Sequence, residues 1–154
     1  MKTADDSDPV SLDQSWTYKV TVLADQIARR IAPIVTRASG LNLSQWRVIA
    51  AIADQPGRSA SQVVEITPMD KGIVSRAVAT LVKRDLIERR PSRQDGRLSH
   101  LFLTREGEAV FALISAELDH AGLSGRPLIN EVATREFLDT LDRLIDTLAA
   151  TDHL

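Results

Sequence analysis

Apolar residues recur every three or four positions along most of this chain, the spacing of helices that bury one face. The first such stretch covers residues 11–38 and predicts one long helix that ends at Gly40. Pro33 is expected to bend or interrupt it, because proline lacks the amide hydrogen of the helical bond. A second stripe lies near the C-terminus and comprises Phe137, Leu141, Leu144, Ile145 and Leu148.

Three shorter helices are predicted between these two, over residues 44–54, 59–66 and 70–84. Residues 67–69 form a tight turn between the second and the third. Each begins at a side chain that can accept from a free backbone amide, namely Ser44, Ser59 and Asp70. Their expected buried faces are Trp46, Ile49, Ala50 and Ile52; Val63, Val64 and Ile66; and Val74, Ala77, Val78, Leu81 and Val82.

Residues 86–89 and 98–103 have the character of short strands, and the loop RRPSRQDGRLSH (89–100) joins them. Thr104, followed by Glu108, then opens a helix to about His120. Residues 122–127 break the chain before the last helix. The predicted fold class is mainly α with a small two- to three-stranded β-wing, a winged helix-turn-helix plus a helical dimerisation region.

The 154-residue chain has a net charge of −2, but the charge is unevenly distributed. From Lys71 to Arg105 there are nine basic and three acidic residues, so this segment carries +6 and the remainder −8. Such a split is typical of a basic binding surface on an acidic protein. The chain contains no cysteine, which excludes disulfides, thiolate metal sites and cysteine nucleophiles.

The helix over 70–84 is expected to enter the major groove of double-stranded DNA, where base edges can be distinguished. Arg76 can chelate a guanine edge or pair with a phosphate, Ser75 can donate to either, and Gly72 permits a close approach. The predicted DNA-binding residues on this helix are Lys71, Gly72, Ser75, Arg76 and Lys83.

The basic loop supplies the rest of the predicted interface. Arg93 at its tip can reach into the minor groove, where the potential is negative. Arg97 is the other DNA-binding candidate. The Asp95 carboxylate is expected to fold back on the Arg97 guanidinium and orient it, so that Arg97 is partly structural.

These residues resemble the MarR family of bacterial transcription regulators over roughly residues 20–148. The matching features are the helix beginning LSQWRVIAAI, the segment MDKGIVSRAV, and a D-x-R-x5-L-T pattern filled by Asp95, Arg97, Leu103 and Thr104. Pro68 departs from the small residue usual in that turn, which affects the expected angle between the two helices.

The resemblance implies a homodimer that binds a pseudo-palindromic operator, usually represses transcription, and is released by a small, commonly aromatic, effector. It also implies a flexible tail (1–10), a dimerisation region (11–40 with 122–154) and a DNA-binding lobe (41–121). The two apolar stripes independently favour a dimer, since neither has an obvious partner within one chain.

The effector pocket is the least determined part of the prediction. Trp16, Trp46 and Arg47 are its candidate residues, with Tyr18 nearby, because an arginine beside aromatic faces can hold a ring that bears a carboxylate. Trp46 can equally be a core residue and Arg47 a solvated one.

Other classes of function find less support. The histidines at 100, 120 and 153 are scattered and no catalytic motif is present, so we expect no enzyme, no cofactor and no metal, although His120 with Glu117 is a conceivable metal site. A signal peptide and an apolar membrane span are lacking, which favours a cytoplasmic protein. The competing hypothesis is a winged-helix module that contacts proteins and does not bind specific DNA.

Overall fold

A computed structural model of the chain describes residues 11–125 and 129–151. The predicted tail (1–10) and His153 lie outside the described residues. The elements in chain order are α1 (Trp16–Ser39), α2 (Leu43–Asp54), α3 (Ala60–Ile66), α4 (Lys71–Lys83), β1 (Ile87–Pro91), β2 (Ser99–Leu103), α5 (Arg105–His120) and α6 (Glu131–Thr151). The mainly α fold with a small β-wing is therefore confirmed.

The described residues divide into two compact units, with the boundary between Leu118 and Asp119. The first contains α1 to α4, the wing and most of α5, and the second contains α6. The limits of the dimerisation region (11–40 with 122–154) and of the DNA-binding lobe (41–121) stay predictions. No helix among the described residues is both long and apolar enough to cross a membrane.

The first helix is continuous through Pro33, so the proline does not interrupt it, and the alternative expectation of a bend stays a prediction. Proline removes one helical hydrogen bond, and Pro33 lies on the exposed side of α1, where water can satisfy the carbonyl that loses its donor. The helix ends as predicted at Gly40, which adopts a left-handed φ of 70°. Its amide donates to the Thr36 carbonyl at 2.8 Å.

The caps of the next helices match the sequence with one exception. Ser59 and Asp70 cap α3 and α4 as predicted. Helix α2 is capped by Asn42 and not by Ser44. The Asn42 side chain accepts from the Gln45 amide at 2.9 Å, and the Gln45 side chain accepts from the Asn42 amide at 3.0 Å. This reciprocal pair satisfies two free donors at once, which Ser44 cannot do from inside the first turn.

The core of the first unit is aliphatic and is centred on α2 and α4. Four residues predicted to be inside are not buried. Ile66 is 52% exposed because α3 ends there after two turns, and Val82 is 38% exposed because it lies beside the inner face of α4. Ala50 and Val64 are half-buried. The fully buried side chains include Val35, Leu41, Val48, Ile49, Ile52, Val63, Val74, Val78, Leu81, Ile87, Leu101 and Ile114.

The wing is an antiparallel pair in which Ile87 lies opposite Leu103 and Pro91 opposite Ser99. Its far side is held by the link between α2 and α3. The Gly57 amide donates to the Leu101 carbonyl, and the Leu101 amide donates to the Arg58 carbonyl, both at 2.9 Å. The sheet in the described part of the chain is thus two-stranded. At the position of a possible third strand, only Gly57 and Arg58 bind Leu101.

The start of α5 packs against the chain that leaves α4. Thr104 caps this helix as predicted, since its hydroxyl accepts from the Gly107 amide at 3.0 Å. The same hydroxyl donates to the Asp85 carbonyl, and the Thr104 amide donates to the Leu86 carbonyl at 3.1 Å. A Cβ added to Gly107 would lie 1.9 Å from the Leu86 carbonyl oxygen. Only glycine allows this approach of helix to backbone.

Replacing Gly107 with alanine should therefore destabilise the protein by about 3 kcal/mol or more, because the new methyl group overlaps a backbone atom that cannot rotate away. Urea denaturation monitored by circular dichroism measures the change. Gly96→Ala is the matched control, since a Cβ there meets nothing within 4 Å. Equal stability of the two variants would contradict this account of the junction.

Candidate nucleic-acid interface

The outer face of α4 presents the predicted helix residues to solvent. Lys71, Gly72, Ser75, Arg76 and Lys83 are all exposed, whereas Val74, Ala77, Val78 and Leu81 are buried. The Asp70 carboxylate accepts from the Ile73 amide at 2.8 Å and so fixes the N-terminus of the helix. The polar face is available to a ligand along its whole length.

Arg76 folds back along this face toward the helix N-terminus. A Cβ built on Gly72 would lie 3.4 Å from Arg76 Nη1 and 3.2 Å from Asp70 Oδ1. The bare glycine therefore leaves room for the guanidinium, one turn before its own Cα, near the carboxylate that caps the helix. The Arg76 guanidinium therefore lies close to the first turn of α4, where the free backbone amides of the helix are.

The wing loop is closed by its own backbone. The Ser92 amide donates to the Leu98 carbonyl at 2.8 Å, and the Leu98 amide donates to the Asp95 carbonyl at 3.0 Å. Asp95 Oδ1 accepts from the Arg97 backbone amide at 3.0 Å. The expected contact between Asp95 and the Arg97 guanidinium is not formed, because the amide lies closer and costs no side-chain ordering. Asp95 shapes the turn, and the Arg97 side chain is left exposed.

Alternation along β1 separates two neighbouring arginines. Arg90 Nε donates to Glu88 at 2.9 Å, and its guanidinium lies 4.2 Å from the centre of the Phe102 ring. Arg89 lies opposite the buried Leu101, on the face of the sheet that Ile87 also occupies. Arg89 is not among the DNA-binding residues that the sequence predicts. The period-two pattern of a strand could have indicated it, since Arg89 is two residues from Ile87.

Two adjoining cavities bring the helix and wing residues together. A cavity of about 380 Å³ is lined by Lys71, Ser75 and Arg89 over an apolar floor that includes Val74 and Val78. A second, of about 200 Å³, is lined by Arg89, Arg97 and serine residues. Arg89 borders both. Arg76, Lys83 and Arg93 line neither of these two cavities.

The residues predicted for an effector pocket lie in different environments. Trp46 is 9% exposed and stacks on Phe111, with ring centres 5.6 Å apart. It is a core residue, as the burial of its neighbours on α2 requires. Trp16 is 47% exposed at the start of α1, and Arg47 is half-buried. An effector role for these residues stays a prediction.

His100 joins the wing to the core and is more than a surface residue. Its Nδ1 lies 2.8 Å from the Gly57 carbonyl oxygen, so this nitrogen carries the hydrogen. Gly57 has a φ of 90°, a conformation that favours glycine. The histidine therefore reinforces the attachment that the Leu101 backbone makes to the same link.

Two helices joined by a short turn, a second helix with an exposed polar face and a basic β-wing define a winged helix-turn-helix. Proteins built on this plan with such a surface are DNA-binding transcription regulators. The comparisons agree with this class. The model of the MarR family matches residues 39–98.

Curated proteins with similar sequences are transcriptional regulators. The chain is 26% identical over 100 residues to the HTH-type transcriptional regulator BilQ of Clostridium symbiosum, covering 65% of this chain and 69% of that one. Other matching relatives are covered over about half their length.

Solved structures share the fold over most of the chain. A MarR/EmrR family regulator from Acinetobacter superposes with a TM-score of 0.81 at 20% identity, over 92% of this chain and 99% of the other. The PcaV regulator of Streptomyces coelicolor, solved with its natural ligand, gives 0.67 at 22%, over 89% and 96%. Over residues 39–98 the chain is similar to the MarR family, and its fold is that of solved MarR-family regulators.

Gly72→Ala should lower sequence discrimination without weakening the fold. The added methyl group occupies the face that approaches the DNA, beside Asp70 Oδ1 at 3.2 Å and Arg76 Nη1 at 3.4 Å, whereas alanine is the better helix former by up to about 1 kcal/mol. A duplex selected by the wild-type protein from a random library, compared with a random duplex, measures discrimination by fluorescence anisotropy. Thermal unfolding of the same samples is the control. Unchanged discrimination would show that Arg76 does not depend on this site.

Proposed function

We propose that this protein is a repressor that binds a pseudo-palindromic DNA site as a homodimer and is released by a small, aromatic effector. The observation that supports a DNA-binding surface is which arginine side chains bind other groups of the protein and which do not. Arg58, Arg84 and Arg90 bind carbonyl or carboxylate groups of the protein. Among the described residues, the side chains of Arg76, Arg89, Arg93 and Arg97 make no hydrogen bond or ion pair. Cations left unpaired on one helix and its wing suit a polyanion.

Helix α4 is the element that enters the major groove in this proposal. Its outer face is free of large apolar groups, and Ser75 and Arg76 are the donors at its N-terminal half. Arg76 can bind the O6 and N7 acceptors of guanine with both arms of its fork, while Lys71 and Lys83 neutralise phosphates. In this proposal Arg76 recognises the base sequence, and Lys71 and Lys83 raise the affinity for DNA of any sequence.

The wing contacts the neighbouring minor groove. Arg93 lies at the tip of a loop that Asp95 and Ser92 hold in shape, since the Ser92 hydroxyl accepts from the Gln94 and Asp95 amides. A cation on an ordered loop loses less entropy on insertion than one on a flexible loop. Arg93 therefore adds affinity through the negative potential of that groove.

Two apolar stripes support the homodimer. On α6, Phe137, Leu138, Ile145 and Leu148 are between 44% and 62% exposed. On α1, Trp16, Val20, Leu23 and Ile27 are 38% to 47% exposed. Large exposed apolar surfaces of this kind mark association sites. A two-fold interface covers such stripes on both chains, and two recognition helices about 34 Å apart match one turn of DNA.

Release by a small molecule is proposed by analogy with PcaV, which has been solved with its natural ligand. The candidate residues for an acidic aromatic compound are Trp16 and Arg47, since Trp46 is a core residue. A footprint on the DNA upstream of the gene, repeated with a panel of aromatic acids, tests for the operator and the effector together. An acid that abolishes protection supports the proposal.

Arg76→Ala should reduce discrimination between selected and random duplexes by about 1–3 kcal/mol, the value of one bidentate interaction with a base. Arg93→Ala should weaken both duplexes equally and lower the slope of log K against log salt by about 0.9 for each phosphate that is no longer neutralised. Anisotropy titrations from 50 to 200 mM KCl measure both quantities. A wild-type affinity that does not change with salt would instead favour the protein-contact module.

Ile145→Glu should convert the dimer into a monomer without unfolding it. Ile145 is 62% exposed within one chain, so a charge there affects only an interface that covers it. Sedimentation velocity gives the oligomeric state and anisotropy the affinity for the selected duplex, which should be lost together. Arg143→Glu, which places the same charge on the opposite side of α6, should leave both unchanged. A dimeric Ile145→Glu variant would exclude this stripe from the interface.

A further inference from the structure

The tip of the wing contains the dipeptide Asp95–Gly96, which occurs once in the chain. An aspartate followed by glycine is open to an internal reaction, because the nitrogen of the next residue can attack the side-chain carboxyl carbon. Glycine has no Cβ to obstruct this attack, and its backbone bends more freely than that of other residues. The chain contains no Asn–Gly dipeptide, so the wing tip is where the sequence favours such chemistry.

The structure leaves the reacting groups accessible. Asp95 and Gly96 are both exposed, and a Cβ built on Gly96 would meet nothing within 4 Å. The Gly96 amide donates no hydrogen bond to any residue that the structure describes, whereas the amides of Asp95, Arg97 and Leu98 are all bonded. The nitrogen that would have to react is therefore the one that the loop leaves free.

The Asp95 side chain is folded toward this nitrogen. Asp95 Oδ1 accepts from the Arg97 amide at 3.0 Å, and this bond closes a ring that contains both Asp95 Cγ and the Gly96 nitrogen. The carboxyl carbon and the attacking nitrogen are thus kept on the same side of the turn. The Arg97 amide also draws electron density from the oxygen on that carbon, which favours nucleophilic attack.

Asp85 is an exposed aspartate in which the same reaction is obstructed. The next residue is Leu86, whose amide donates to the Leu81 carbonyl at 3.0 Å and which is only 3% exposed. Attack by the Leu86 nitrogen would break this hydrogen bond and displace a core residue. Asp85 therefore provides an internal control for Asp95.

We propose that Asp95 converts spontaneously to isoaspartate, which makes the wing tip a site of covalent modification. The Gly96 nitrogen bonds to Asp95 Cγ, and the carboxyl hydroxyl leaves with the amide hydrogen as water. A second water molecule then cleaves the bond between the Gly96 nitrogen and the main-chain carbonyl carbon of residue 95. The main chain afterwards runs through Cβ. No oxidant or cofactor is consumed, and the mass of the protein is unchanged.

The product cannot keep the hydrogen bonds that close the loop. The Asp95 carbonyl accepts from the Leu98 amide, and Asp95 Oδ1 accepts from the Arg97 amide. In isoaspartate the former carbonyl is a free carboxylate, the former side-chain carbonyl belongs to the main chain, and the main chain is one carbon longer. The consequence for DNA rests on the proposed function: the altered tip no longer directs Arg93 to the minor groove, and affinity falls.

Incubating the wild-type protein for several weeks at physiological temperature, in water enriched in the heavy oxygen isotope, measures the reaction. Peptide mass spectrometry should find two mass units added at residue 95, because hydrolysis of the imide takes one oxygen from water. A protein isoaspartyl methyltransferase should methylate the same peptide. Gly96→Ala, whose methyl group crowds the nitrogen and meets no other residue, should react several times more slowly. Residue 95 unlabelled in wild-type, or Asp85 labelled equally, would overturn the proposal.

Anisotropy with the selected duplex separates the modification from the proposed function. Incubated wild-type protein should lose affinity in proportion to its isoaspartate content, toward the affinity of Arg93→Ala, whereas incubated Gly96→Ala should keep its affinity. Fresh wild-type protein that does not bind the duplex would overturn the proposed function, and the isotope label would still support the modification. Unlabelled protein that binds the duplex would overturn the modification alone.

Discussion

The wing depends on the two backbone hydrogen bonds that Leu101 makes with the link between α2 and α3. A two-stranded ribbon is marginally stable by itself in water. Here one edge of β2 is paired with β1 and the other is pinned by Gly57 and Arg58, while the Leu101 side chain is buried. His100 adds a third bond to the same link. The position of every arginine on the wing relative to α4 follows from this attachment.

The division of the cations is the second organising feature. Arginines that support the fold lie against carbonyl or carboxylate oxygens, as Arg84 does with the Ser39 carbonyl at 3.1 Å. Arg76, Arg89, Arg93 and Arg97, on α4 and the wing, are among the arginines without an internal partner. An unpaired cation gains little for a folded monomer, so the grouping of four such arginines on α4 and the wing supports the proposed anionic ligand.

Local sequence patterns were reliable wherever the relevant interaction spans a single turn. Ser59, Asp70 and Thr104 cap helices as predicted, because a cap needs only the next three amides. The wrong predictions concern which of two nearby residues caps a helix and where a short helix ends. Asn42 replaced Ser44 because it forms a reciprocal pair, and Ile66 is exposed because its helix is short.

By itself, the sequence determined the order of helices and strands, the concentration of positive charge between residues 71 and 105, and the polar face of α4. These follow from periodicity and composition, which act over a few residues. The tertiary structure alone decided that Gly107 meets the Leu86 carbonyl, that Trp46 stacks on Phe111, and that Arg89, and not Arg90, lines the two cavities beside α3. Each depends on segments far apart in the chain, whose approach no local pattern encodes.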